Sequence, residues 1–332
     1  MSRTVVHTVQ ARGAAEGSAP DPRLDCVLVV VTYRSASDLP GLLDSVPGAL
    51  GGLRAEVLVV DNASDDDVAG VVAGRPGAHL LRAGANLGYA GAINLALDRM
   101  PPARWVAVLN PDLTLAPGSL ATLVACGERT GAGAVVPALL DGEGHRSASL
   151  RREPTVRRAL GEALLGDLLP SRPDWAAELV RDPVDYASEH PVEWATGAVV
   201  LIRGEALSRV GHWDPRFFLY SEETDYLRRL REVGLAVWFT PAAVARHRGG
   251  GSGQSPDLVA LLVVNRVRYA LKWHGRPAAA AMAGVSLLHC VLRLGDPGHR
   301  RALRALLSPR SRDRLPGASR SWSSAPGARS GT

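Results

Sequence analysis

Three carboxylates fall within four positions in Phe217-Phe218-Leu219-Tyr220-Ser221-Glu222-Glu223-Thr224-Asp225, directly after a bulky apolar run. Glu222 and Asp225 are three apart, so a helix beginning here sets them on one face and turns Glu223 elsewhere. Acidic residues suit a helix N-terminus, where they complement the dipole. Crowding them is costly unless a cation or a proton-transfer task uses them. A second acidic signal, Asn110-Pro111-Asp112, lies far upstream at the end of an apolar run. Pro111 fixes the local backbone. A carboxylate held there suits Mg2+ or Mn2+, which take one or two protein carboxylates and draw their other ligands from phosphate oxygens and water. His247, between an apolar segment and a glycine-rich loop, is a second candidate ligand.

The elements that must position these groups are legible as periodicities. Cys26-Val27-Leu28-Val29-Val30-Val31-Thr32 is a continuous apolar run. It predicts a strand buried on both faces, as in a parallel sheet. Ser35-Ala36-Ser37-Asp38 offers a helix cap before the apolar positions Leu39, Leu42, Leu43 and Val46. Strands are expected over 56–60, more weakly over 79–81, and over 105–109, with a helix over 88–100. Strands and helices alternating at this pace imply βαβ units and a mainly parallel sheet. The middle, 141–190, is rich in Arg, Pro and acidic residues and reads as a variable segment beside the site or simply as a long surface excursion. A strand over 198–202, a helix from about 222 to 233 and a strand over 236–239 restore order, before a glycine loop over 249–253.

Composition narrows the classes. The chain has 332 residues, of which 46% are apolar and 5% aromatic, so Val, Leu and Ala must fill a sizeable core. Net charge is +5, yet nine arginines face only two aspartates from Arg293 to the end. A basic tail, not a basic domain, argues against nucleic acid as the partner. Lys272 is the only lysine. Cys26, Cys126 and Cys290 are far apart and form no CxxC pair, which argues against a zinc site or a disulfide framework and fits a reducing cytosol.

In a parallel α/β sheet, ligands collect outside the carboxyl ends of the strands. Thr32-Tyr33-Arg34, Asp61-Asn62-Ala63-Ser64-Asp65 and Asn110-Pro111-Asp112 all fall there and point to one pocket. The turn after the first strand holds no glycine, which removes the dinucleotide fingerprint. Gly88-Tyr89-Ala90-Gly91 opens a helix, and lets the backbone come close to a ligand or simply makes a turn.

As an ordered set, these pieces resemble the GT-A-fold glycosyltransferases of family 2, in the rhamnosyltransferase-like branch. The resemblance covers about residues 25–255 and runs through Val30-Val31-Thr32-Tyr33, Val59-Val60-Asp61-Asn62-Ala63-Ser64, Asn86-Leu87-Gly88-Tyr89-Ala90-Gly91-Ala92-Ile93-Asn94 and Leu109-Asn110-Pro111-Asp112. Thr196-Gly197-Ala198, Gly211-His212-Trp213-Asp214-Pro215-Arg216-Phe217-Phe218, the acidic cluster and His247 complete it. It implies a donor site of Thr32, Tyr33, Asp61, Asn62, Asn86, Gly88, Gly91, Asn94, Asn110 and Asp112. It also implies a Mg2+ or Mn2+ ion held by Asp112 and His247. The family's Glu-Asp pair, whose second member is the usual base, falls on Glu222-Glu223, leaving Glu223, Glu222 and Asp225 as candidate bases. Asn110 stands where a strict DxD motif has its first Asp.

The implied activity is metal-dependent inverting transfer of a sugar, with dTDP-L-rhamnose the favoured donor. The acceptor would be a hydroxyl of a cell-envelope glycan or lipid-linked intermediate. A sugar-nucleotidyltransferase would need a glycine- and Arg-rich phosphate loop after the first strand, which is absent; a non-catalytic glycan-binding protein would not need the whole acidic set. The expected organisation is a mobile lead-in over 1–24, a catalytic domain over 25–255, a helical extension over 256–307 and a disordered Arg/Ser-rich tail over 308–332. Two apolar helical stretches, 258–273 and 278–294, make up the extension. The second, at about 17 residues, falls short of the ~20 needed to span a bilayer. It and the basic tail suggest contact with the inner face of the cell membrane by an otherwise cytoplasmic protein.

Overall fold

Leu24–Thr32 forms β1, and its alternate residues serve two cores. Cys26, Leu28 and Val30 pack on one side of the sheet, Val27, Val29 and Val31 on the other. The unbroken apolar run therefore has the two-sided burial expected of it. The computed structural model describes residues 23–166, 169, 172–249 and 255–317. Most of the expected lead-in, most of the glycine loop and the tail beyond Gly317 lie outside these.

The other strands are β2 (Ala55–Asp61), β3 (Ala78–Arg82), β4 (Ala103–Leu109), β5 (Leu113–Leu115), β6 (Ala134–Leu140), β7 (Leu150–Arg151), β8 (His190–Val192), β9 (Trp194–Ala195), β10 (Val199–Arg203) and β11 (Val237–His247). The helices are α1 (Leu39–Leu50), α2 (Val68–Val72), α3 (Gly88–Leu97), α4 (Ser119–Thr130), α5 (Val156–Leu165), α6 (Gly204–Val210), α7 (Glu222–Glu232), α8 (Pro256–Leu292), α9 (Pro297–Leu307) and α10 (Pro309–Arg312).

The main sheet runs β3-β2-β1-β4-β10-β6-β11-β5, with β8 also paired to β11. β3, β2, β1 and β4 are mutually parallel. β10 enters antiparallel between β4 and β6, while β11 returns parallel to β6. That insertion matters because an antiparallel strand begins where its parallel neighbours end. The residues before β10 thus arrive at the carboxyl edge of β4, and the Asn110 N–H donates to Ala198 O at 2.9 Å.

α8 continues the chain into a further helical layer. Its backbone breaks at Gly275 (φ 78°), two residues before Pro277, so the two expected helices are halves of one kinked element. Both halves pack on α5 through Ala159, Ala270, Ala279 and Met282. The tail is ordered further than expected. Ser308 caps α10, and Leu315 buries in the α8–α9 core, because the Arg/Ser-rich stretch still supplies one capped turn and one apolar anchor.

Candidate functional site

The polar clusters line one edge because the strands are in register. Thr32 pairs with Asp61 across β1 and β2, and Val30 with Leu109 across β1 and β4. Within that edge the expected donor residues divide into walls and open groups. Thr32 is fully buried and its hydroxyl donates to Val60 O at 3.1 Å. Its side chain thus bridges β1 to β2. Asn94 is likewise a bridge. Its amide accepts from Trp213 N–H and donates to Trp213 O, both at 2.8 Å, tying α3 to the 211–221 loop. Asn62 holds the turn before α3, accepting from Leu87 N–H at 2.8 Å and donating to Asn86 Oδ1 at 3.0 Å.

Gly88 is required by that turn. Its φ is 72°, and a Cβ there would meet Phe218 O and the Phe218 ring at 2.5 Å. The next residue, Tyr89, donates its N–H to Phe218 O at 2.6 Å. Four other expected donor residues keep polar atoms, ring or backbone near the edge. Tyr33 is 44% exposed under the Arg34 guanidinium. Asp61 is half-buried and accepts from Ser64 N–H at 2.9 Å. Asn86 is exposed, and Gly91 is half-buried on α3.

Asp112 and His247 meet. His247 Nε2 lies 3.1 Å from Asp112 Oδ1 and 3.4 Å from Asn110 Nδ2. β5 and β11 are paired antiparallel here, so Leu113 and His247 face each other. Burial opposes charge on the Asp112 carboxyl, but the hydrogen bond and charge of His247, with Arg248, outweigh it and hold the carboxyl below its ordinary value. Among the described residues no group of three or more His, Cys, Asp or Glu could hold a metal. A carboxylate–imidazole pair fits an ion that takes its remaining ligands from phosphate and water.

Tyr89 joins this pair to the acidic cluster. Its hydroxyl donates to Asn110 Oδ1 at 2.9 Å. Burial first, then the charges of Glu222, Glu223 and Asp112, push its phenol well up. Tyr89 thus bonds through its hydroxyl to the residue two before Asp112 and through its N–H to the segment that leads into α7. A second link is backbone: Asn110 N–H binds Ala198 O, and a Cβ on the adjacent Gly197 would lie 3.3 Å from Glu223 Cβ.

Glu222, Glu223 and Asp225 all lie in the first turn of α7 and differ in what surrounds them. Burial, then Glu223, drives the Glu222 carboxyl well up; burial also raises that of Glu223, with Arg151 opposing. One oxygen of each, Oε2, is buried with no hydrogen-bond partner among the described residues. Such orphans are expensive and call for a functional explanation. Asp225, by contrast, is saturated. It meets Lys272 Nζ at 2.6 Å, Trp273 Nε1 at 2.9 Å and Arg229 Nε at 3.0 Å.

The approach to α7 is strained. Phe218, Tyr220 and Ser221 all have left-handed φ, between 63° and 70°. Non-glycine residues in that region cost of order 1–3 kcal/mol each and persist only where neighbours over-determine them. Asn265 is the neighbour. Fully buried on α8, its Nδ2 lies 2.7, 2.9 and 2.9 Å from the carbonyls of Phe217, Leu219 and Tyr220. Nothing in the local pattern announced Asn265, Lys272 or Trp273. They sit in a segment read as an extension, and their partners lie 45–58 residues away. Tyr89 was legible only as one member of a glycine-flanked motif.

Residues 27–185 match Glycosyl transferase family 2. An N-acetylglucosaminyl-diphospho-decaprenol L-rhamnosyltransferase of Mycobacterium tuberculosis is 33% identical over 243 residues, 69% of this chain and 78% of the relative. A low-salt glycan biosynthesis hexosyltransferase of Haloferax volcanii is 27% identical over 64% of each chain. Among solved structures, the mannosyltransferase PcManGT of Pyrobaculum calidifontis, in complex with GDP-Man and Mn2+, superposes with TM-score 0.52 at 19% identity, covering 91% of this chain and 80% of its own. GalNAc-T7 with UDP, GalNAc and Mn2+ gives 0.57 at 15%, over 76% of this chain and 48% of the longer neighbour. Fold, edge and sequence agree: the chain belongs to glycosyl transferase family 2, has the GT-A fold, and stands on the rhamnosyltransferase-like branch.

Proposed function

We propose that this glycosyltransferase transfers L-rhamnose from dTDP-L-rhamnose, with inversion, to a hydroxyl of a lipid-linked cell-envelope glycan. The observation that carries the reading is the unpartnered oxygen on each of Glu222 and Glu223, linked to the Asp112–His247 pair through Tyr89, which bonds both Asn110 and Phe218. The rhamnosyl and lipid-linked assignments rest on the Mycobacterium tuberculosis relative's name. Three cysteines, all free and buried, suit a reducing cytoplasmic compartment.

Asp112 and His247 would hold Mg2+ or Mn2+. When bound, such an ion offsets the negative charge that grows on a departing diphosphate. The chain's own residues supply the rest. The Asn62–Asn86 turn and Gly88 let the backbone approach the donor. Tyr33 and Asp61, at the ends of β1 and β2, flank the nucleoside. An acceptor hydroxyl is a poor nucleophile until a carboxylate takes its proton. Glu223, with a free oxygen and Gly197 leaving room beside it, takes that proton. Glu222, at its side, keeps the pair's affinity for one proton high. A single base opposite the leaving diphosphate gives one displacement and therefore inversion. Asp225 is a strut, since three partners occupy it.

The test is a panel of nucleotide sugars, measuring released nucleoside diphosphate with Mn2+ present. Turnover of dTDP-L-rhamnose above UDP- and GDP-sugars supports the assignment. Turnover of another donor alone would replace the sugar and keep the class; release from none, with any acceptor glycolipid, would refute it.

A further inference from the structure

The second half of α8 is apolar on both of its sides. Ala279, Met282, Ser286 and Cys290 are buried at helical spacing. The opposite row, Ala280, Ala281, Gly284, Leu288, Val291 and Leu292, is exposed, with Val291 at 50% and Leu292 at 55%. No Asp, Glu, Lys or Arg occurs from Pro277 to Leu292. A surface helix of a water-soluble protein carries polar groups on its outward row; one that is apolar all round is buried or meets lipid. Leu262 (41% exposed), Leu294 (43%) and Leu307 (67%) add to the apolar surface of the same layer.

Charge identifies the occupant. Between Arg276 and Gly317 there are eight arginines and two aspartates, with no lysine or glutamate. Arg276 and Arg293 bracket the bare row, and Arg300, Arg304 and Arg310 are exposed beyond it. A bare apolar row edged by arginine is complementary to an anionic lipid surface. By length and composition, α8 could cross a bilayer. Its first half cannot leave the domain, because Asn265, Lys272 and Trp273 anchor it to Phe217–Asp225. The uncharged stretch after the Gly275 break spans roughly 24 Å at ~1.5 Å per residue, short of the ~30 Å hydrocarbon core.

We infer that the exposed row of α8 after Gly275 seats in the plane of an anionic bilayer surface, with the arginines of α9 and α10 on its headgroups. This deepens the proposed function at the acceptor. The same layer carries an apolar groove between α5, α8 and α9, lined by Val259, Leu262, Val285 and Arg266. Arg266 pairs with Glu178 at 2.7 Å, and Glu178 with Arg151 at 3.5 Å. A lipid-linked acceptor would reach the protein through this layer; that step rests on the proposed acceptor, while the docking does not.

The test needs neither donor nor acceptor. Full-length protein is floated with vesicles of phosphatidylcholine alone, or of phosphatidylcholine with phosphatidylglycerol. Wild type co-floats with the anionic vesicles. Leu288→Glu with Val291→Glu and Leu292→Glu lowers the bound fraction by about tenfold, while the thermal midpoint and its shift with dTDP and Mn2+ stay as in wild type. Arg300→Gln with Arg304→Gln and Arg310→Gln removes the preference for anionic over neutral vesicles. Equal flotation of the Leu/Val variant and wild type overturns the inference, as does failure of wild type to float. Light scattering that shows a dimer split by the Leu/Val substitutions would assign the face to a second copy instead.

Discussion

Two acidic sites share one edge of the sheet and are held in opposite states. Asp112 has an imidazole 3.1 Å away and its carboxyl is kept below the ordinary value. Glu222 and Glu223 are chain neighbours, each with one buried oxygen that has no hydrogen-bond partner among the described residues, and both carboxyls are pushed up. Environment, not residue type, separates a carboxyl that favours its charged form from one that favours its protonated form, the division the proposed roles of cation holder and base would need. Asp225 is a third case, a buried carboxylate whose charge is spent on structure.

The largest break should come from Asp112→Ala, which would remove the proposed cation site. Transfer is expected to fall below detection while circular dichroism stays native; normal turnover would remove Asp112 from the mechanism. Glu223→Gln should lower turnover by about 10²–10⁴-fold with donor affinity nearly unchanged. If Glu222→Gln does this and Glu223→Gln does not, the base is its neighbour. Asp225→Asn should act on folding, because it breaks a buried ion pair whose loss costs about 3–5 kcal/mol. Denaturant unfolding reads that, and a turnover loss without destabilisation would contradict the strut. Asn265→Leu should lower turnover more than donor affinity, by releasing the strained 217–221 loop that sets Glu222 and Glu223. Faster amide exchange at Phe218–Ser221 would show it.

The smallest and sharpest contrast lies in stability against pH. Glu222, raised from its ordinary 4.5, holds a proton in the folded state that the unfolded chain has already lost. Its contribution to stability therefore falls as pH rises through that window. Glu222→Gln should gain thermal midpoint over wild type as pH goes from acid to mildly alkaline. Asp112, lowered from 3.8, behaves oppositely. Its contribution is present above the unfolded value and is lost as pH falls through the folded one. Asp112→Asn should therefore trail wild type at neutral pH and converge with it in acid. Parallel midpoint curves for the two variants would erase the distinction between the sites.

Much of this was visible in the residues because it is local. A seven-residue apolar run makes a two-sided strand such as β1, and strand-end clusters such as Asp61–Asp65 and Asn110–Asp112 follow from it. What stayed hidden depends on where distant segments meet. The antiparallel insertion of β10 brings Gly197 to Glu223, and no periodicity encodes strand order. Thr32 and Asn94 carry polar side chains that could serve a ligand or a wall, and only packing tells which. The dependence of Asp225 and the 217–221 loop on α8 joins the expected extension to the catalytic edge, through single contacts that leave no sequence pattern.

The claim that the Asp112–His247 pair serves the donor while Glu223 takes the proton is tested most directly by single-turnover transfer in Glu223→Gln, with dTDP-L-rhamnose varied in the presence of Mn2+. The account predicts half-saturation at the wild-type donor concentration and a transfer step slowed by at least about 10²-fold. A wild-type rate, or a loss of rate that more donor restores, would contradict it.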